Sequence, residues 1–286
     1  MRAFAAIVLA GLSSGLMALS TSLQALEARE QPRETALRAA LLQRLVRRRI
    51  WLLGGLAGVG AWVCQAFALS FGSIALVQPA LGLGLVVLLF LGVRMLHEKV
   101  GLREKLGVAA IVASIAVLGW AAPASTGAFT RAGMVVVIVW VVGVAVAPQI
   151  LRMLNSQSGL ITAVVAGLGW AAVGLATALL DEAFAHHHWF VVLAWGVAVG
   201  AASWGALLSE MTSLQCWPAT RAIPIAFALE MVVPAAVAPG LTHHGAGPAG
   251  GIPFAGALLV AALGATLLGS SRAVAGTVAA EPVPTT

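Results

Sequence analysis

"GLAGVGAWVCQAFALSFGSIALVQPA", Gly55 to Ala80, is apolar or small at nearly every position, yet it ends on Gln78 and Pro79. About 20 such residues are what a helix needs to cross roughly 30 Å of hydrocarbon. The stretch also has an echo. Shifted by 145 residues it lies on "GAASWGALLSEMTSLQCWPATRAIPI", so that Gly55 meets Gly200, Gly60 meets Gly205, Leu69 meets Leu214 and Pro79 meets Pro224.

The rest of the chain has the same character. Its 286 residues are 60% hydrophobic and 9% charged, with a mean hydropathy of +1.00. That composition asks for an apolar solvent around most of the chain. Apolar runs of spanning length recur, whereas the alternating segments of a membrane barrel do not. The expected fold class is an all-α polytopic membrane protein of nine transmembrane helices. The spans are Ala3 to Leu26, Ile50 to Ser70, Ser73 to Leu96, Leu102 to Ala122, Gly133 to Ile150, Gly159 to Leu180, Trp189 to Leu214, Cys216 to Ala238 and Ile252 to Gly269.

Laid on these spans, the 145-residue shift matches helices one to four with helices six to nine. An offset of five spans reverses direction through the membrane, so the expectation is an inverted repeat of four plus four helices around a central fifth. Residues 1–122 form the first repeat, 123–158 the link with helix five, 159–269 the second repeat and 270–286 a flexible cytoplasmic tail.

Basic residues orient the chain, because loops rich in Lys and Arg stay cytoplasmic. Seven arginines lie between Arg29 and Arg49, and Arg94, Lys99, Arg103 and Lys105 flank the third connection. This places the protein in the cell membrane with its N-terminus outside and its C-terminus cytoplasmic. The arginines following the first span argue for a retained helix rather than a cleaved signal peptide. The net charge of +6 is then topological, and the expected partner is the bilayer, with anionic lipid near "RLVRRR", and not nucleic acid. Trp51 and Trp217 at one side, with Trp120 and Trp189 at the other, suit an interfacial belt. Cys64 and Cys216 fall toward opposite faces and read as separate thiols.

Corresponding interrupted helices are the best sequence pointer to a transport pathway. Pro79 and Pro224 occur once per half, and each frees a backbone carbonyl that a neighbouring helix or a wet cavity must satisfy. The plainer alternative is two kinks that only shape packing. Ionisable groups within spans are costly and mark function by default. Glu230 lies mid-span in the eighth helix. Glu210 lies in the seventh at the repeat position of Gln65, and its alternative is a structural pair with Arg221. Gln78, Gln149, Gln24, Ser20 and Thr21 add oxygen ligands. Glu230 and Glu210 are the candidate metal ligands for a hard divalent cation such as Mg²⁺, or else the site of an organic cation or of proton exchange. Asp181, Glu182, His186, His187, His188, His243 and His244 crowd the outer face; as imidazoles they would favour zinc, nickel or copper, and exposed loop decoration is the plainer reading.

The stretch "W..G......W..QAFALSFGSIALVQP" from Trp51, followed by "GVRMLHEKVGLREKLGVAAIVASIAVLGW" from Gly92, resembles the first half of the drug/metabolite transporter superfamily (EamA-like), in its NIPA-type branch. The opening "GLSSGLMALSTSLQ" also fits that branch, while "LQCWPATRAIP" in the second half departs from it. The resemblance implies a secondary carrier working by alternating access, of Mg²⁺ or of small organic metabolites. The chain shows no HExxH and no Walker loop, so no enzyme, no cofactor and no ATP-driven pump is expected. A scaffold that transports nothing is the remaining alternative. Gly11 and Gly15, Gly54 and Gly58, and Gly196 and Gly200 have the spacing of close helix contacts, within one chain or in a homo-oligomer.

Overall fold

The computed structural model describes residues 2–71, 81–121, 129–156, 158–241 and 251–269. The regular elements among them are helices: α1 (Arg2–Arg29), α2 (Ala39–Leu45), α3 (Arg49–Phe71), α4 (Gly84–Met95), α5 (Leu102–Ala121), α6 (Arg131–Met153), α7 (Gly159–Ala185), α8 (Trp189–Cys216), α9 (Ala219–Leu241) and α10 (Gly251–Gly269), with a short 3₁₀ turn at Arg33–Thr35. Each long helix falls on an expected apolar run, but α4 covers only the second half of the expected Ser73 to Leu96 span, whose first part lies largely outside the described residues, and the short α2 was not expected. Gln78 and Pro79 lie outside the described residues, as do His243, His244 and the tail from Ser270.

Among the described residues, five helices are long and apolar enough to cross a membrane: Phe4–Arg29, Arg49–Ala68, Arg131–Met153, Gly159–Ala185 and Trp189–Cys216. Their outward faces carry bare apolar side chains, including Phe4, Leu56, Trp62, Val139 and Phe190, the last 92% exposed. Water does not tolerate so much contiguous apolar surface, whereas lipid tails do. The chain is therefore a membrane-embedded helical protein.

Helix α9 is the hub. It packs chiefly on α7 and also meets α1, α4, α5, α6, α8 and α10, while α1 lies along α3, α8 along α7, and α5 along α10. Small residues allow the close approaches. A Cβ on Gly167 of α7 would come within 2.6 Å of the Ala226 carbonyl oxygen in α9, and one on Gly205 of α8 within 2.3 Å of the Val144 oxygen in α6. Pro148 sits inside α6 and lacks the N–H that would bond that same Val144 carbonyl, so the exposed carbonyl and the bare glycine share one contact.

Of the three glycine pairs, Gly54 and Gly58 make a close approach: an added Cβ would lie 3.0 Å from the Ser20 carbonyl and hydroxyl oxygens respectively. A Cβ on Gly11, Gly15, Gly196 or Gly200 would meet no neighbouring helix within 4 Å among the described residues. Trp51 and Trp217 are buried rather than belted at an interface. The Trp51 indole N–H donates to the Met211 sulfur at 3.3 Å, and Trp217 fills the space above Gly159. Cys64 and Cys216 are both free.

Connections that alternate in sequence gather at opposite ends. At one end the first connection wraps the close of α8: the Leu37 N–H donates to Thr212 Oγ1 at 3.0 Å, Gln215 Nε2 donates to the carbonyls of Gln31 and Pro32, and α2 buries Leu41, Leu42 and Leu45. Arg48 reaches Glu27 at 2.7 Å and also pairs with Glu30. The Glu27 hydrogen bond and charge push its guanidinium further up from an already high pKa. At the other end the Thr130 N–H donates to the Leu241 carbonyl at 2.9 Å, joining the start of α6 to the close of α9.

Candidate functional site

Two carboxyls chosen from the sequence come together. Glu230 lies at the middle of α9, eleven residues beyond Ala219, and Trp170 of α7 lies eleven beyond Gly159. Both backbones are therefore about 16 Å from the arginine-rich end. Glu210 is six residues before the close of α8, about 9 Å deep. Side chains tilt toward the N-terminus of their own helix, and α8 runs opposite to α7 and α9. Glu210 thus leans inward while Glu230 and Trp170 lean toward it, which closes the difference in depth.

The Trp170 indole N–H donates to Glu210 Oε2 at 2.7 Å. Glu210 and Glu230 stand on adjoining helices, and both are half-buried. Among the described residues neither forms an ion pair. The fully buried Ser209 hydroxyl, next to Glu210 in the chain, has no hydrogen-bond partner among the described residues. Ionised carboxyls in an apolar bundle raise the energy of the site, and a positive ligand or a proton lowers it.

The other candidates are dispersed. Pro224 is buried in α9, six residues before Glu230. Gln65 is half-buried in α3. Gln149 is exposed on α6 and, in the orientation that satisfies its amide, donates to the Val146 and Ala145 carbonyls of its own helix at 2.9 and 3.1 Å. His186, His187 and His188 stand exposed at the α7–α8 turn. No group of three or more His, Cys, Asp or Glu side chains converges as a metal site among the described residues.

Arg221 does not pair with Glu210. It binds Glu104 at 2.7 Å, with the two side chains 3% and 5% exposed, because the first turn of α9 faces the start of α5 rather than the close of α8. Glu104 also accepts the Gly101 N–H at 2.9 Å. Alongside, Glu98 receives the backbone N–H groups of Ala219 at 2.7 Å and Thr220 at 2.9 Å, the Thr220 hydroxyl and the Arg29 guanidinium. The sequence reading uses Arg29 for orientation, offers Arg221 to Glu210 and passes over Glu98 and Glu104. A signal was present: α9 starts after Pro218 with no acid in its first turn and an arginine at its third residue. That is the wrong charge for a helix N-terminus, which therefore calls for a carboxylate from elsewhere.

One string was also passed over. Gly11-Leu12-Ser13-Ser14-Gly15 has the spacing of a nucleophile elbow, which requires a strand-to-helix turn. Both serines instead lie inside α1, Ser13 donating to the Ala61 carbonyl at 2.7 Å and Ser14 to the Ala10 carbonyl at 2.9 Å.

No family model, curated protein or solved structure matches the chain. The resemblance to drug/metabolite transporters rests on the quoted residues alone.

Proposed function

We propose that the protein is a secondary carrier for positively charged solutes, with a pathway that passes between α8 and α9 at Glu210 and Glu230. The observation that carries this reading is the pair itself: two half-buried carboxyls on adjoining spanning-length helices, one held by the Trp170 indole and neither with a cationic partner among the described residues. Such an arrangement is expensive as architecture and useful as a ligand.

An organic cation is the favoured substrate. Trp170 occupies one oxygen of Glu210 and brings an aromatic ring to the site, and an aromatic group beside carboxylates suits a weakly hydrated cation. The second reading, Mg²⁺, draws on the resemblance and on the ion's habit of keeping most of its waters and binding through one or two carboxylates.

The packing is in keeping with an inverted repeat. Under the 145-residue shift, the α1–α3 contact corresponds to the α7–α8 contact, α1–α4 to α7–α9, and α5–α10 to itself. Helix α6 associates only with the second half among the stronger contacts, as a linking helix would. The basic connections gathered at one end support a cytoplasmic assignment for that end.

Uptake into proteoliposomes under an imposed proton gradient tests the reading, with tetraphenylphosphonium and Mg²⁺ as probes. Saturable tetraphenylphosphonium flux that disappears in Glu230→Gln is expected. Mg²⁺ flux alone, lost in the same variant, moves the substrate to the second reading. No flux of either ion through folded, oriented protein would sink the carrier.

A further inference from the structure

We infer that Glu98 and Arg29 form a lock that holds the first turn of α9 and closes the arginine-rich end of the molecule, and that the lock must open for solutes to reach the Glu210–Glu230 pair from that side. The inference deepens the carrier reading and rests on it for its role in transport, but not for the existence of the lock.

Three separate stretches of the first half converge on the start of one second-half helix. Glu98, from the turn between α4 and α5, receives both backbone N–H groups of Ala219 and Thr220 and the Thr220 hydroxyl. Arg29, the last residue of α1, binds the same carboxylate. Glu104, in the first turn of α5, binds Arg221. Gly92 lies flush against Thr220, where an added Cβ would meet the Thr220 methyl at 2.2 Å. The start of α9 therefore cannot shift without parting from all three.

Two features make this a lock rather than a static joint. The helix it holds is the one that carries Glu230, so tilting α9 at its first turn moves the candidate site. The bonds are also charged, and buried ion pairs gain little over their fully hydrated forms. When water enters, Glu98, Arg29, Arg221 and Glu104 exchange one set of partners for another at small cost. The opposite end of α9 is tied by neutral bonds from Thr130 to the Leu241 carbonyl, which water replaces with no comparable gain of ionic hydration. Discrete two-arrangement contacts of this sort are what opening and closing transitions use.

Native Cys216 supplies the readout. It is the last residue of α8, half-buried, three positions before Ala219. In full-length protein carrying Cys64→Ser, reconstituted in liposomes, the rate of its modification by a membrane-impermeant maleimide is measured in four backgrounds: no further change, Glu98→Gln, Arg29→Met, and Glu34→Gln as an exposed acid of the first connection. Arg29→Met leaves the carboxylate and its backbone bonds in place, so it carries the test even where Glu98→Gln folds poorly. The lock predicts a rise of roughly threefold or more for Arg29→Met and for folded Glu98→Gln, with Glu34→Gln unchanged. A smaller rise in Arg29→Met, or an equal rise in Glu34→Gln, overturns it. Flux is read in the same liposomes: faster labelling without flux in the parent keeps the lock and removes the carrier, and flux with unaltered labelling removes the lock alone.

Discussion

Two pairs of buried or half-buried glutamates stand in this bundle under opposite conditions. Glu98 and Glu104 sit at the arginine-rich end with a guanidinium each and backbone N–H donors besides. Glu210 and Glu230 sit deeper, with one indole N–H for Glu210 and no cationic partner for either among the described residues. Satisfied carboxylates hold helices together; a facing pair that lacks counter-charge weakens the bundle unless a ligand or proton completes it. On the proposed reading, the contrast separates the groups that build the molecule from those that would bind its solute.

The contrast can be broken by exchanging consequences between the pairs. Arg221→Met takes the guanidinium from Glu104 in a site 5% exposed and should cost about 3 kcal/mol, the largest effect expected. Glu98→Ala leaves two backbone donors, a hydroxyl and Arg29 without their acceptor and should cost about 2 kcal/mol. Trp170→Phe removes one hydrogen bond to Glu210 for about 1 kcal/mol. Glu230→Gln keeps the size of the side chain and removes no ion pair among the described residues, so it should shift stability by no more than about 0.5 kcal/mol while abolishing flux. Thermal unfolding in detergent reads all four; a loss in Glu230→Gln as large as that in Arg221→Met would erase the distinction.

The fold was legible because hydrocarbon thickness imposes a length on each span, and the apolar runs announce it. The short α2 was not, since seven residues carry too little periodicity and its burial of Leu41, Leu42 and Leu45 comes from docking on the close of α8. Glu210 and Glu230 were legible as rare acids in apolar helices. Their partner Trp170 was not, because an aromatic in a span looks like packing until a neighbouring helix places a carboxylate beside it. Glu98 and Glu104 were hidden by their basic neighbours in "LHEKVGLREK", which served only to orient the chain. Only the uncapped, wrongly charged start of α9 hinted that a carboxylate was needed there. Gln78 and Pro79, which first suggested a pathway, lie outside the described residues.

The most direct test of the central claim is the shift in unfolding temperature that tetraphenylphosphonium produces in wild type and in Glu230→Gln, measured side by side in the same detergent. A cation that completes the pair stabilises the folded state by mass action. The account predicts a saturable rise in wild type that is lost in a variant of equal intrinsic stability. An equal rise in both proteins would contradict it.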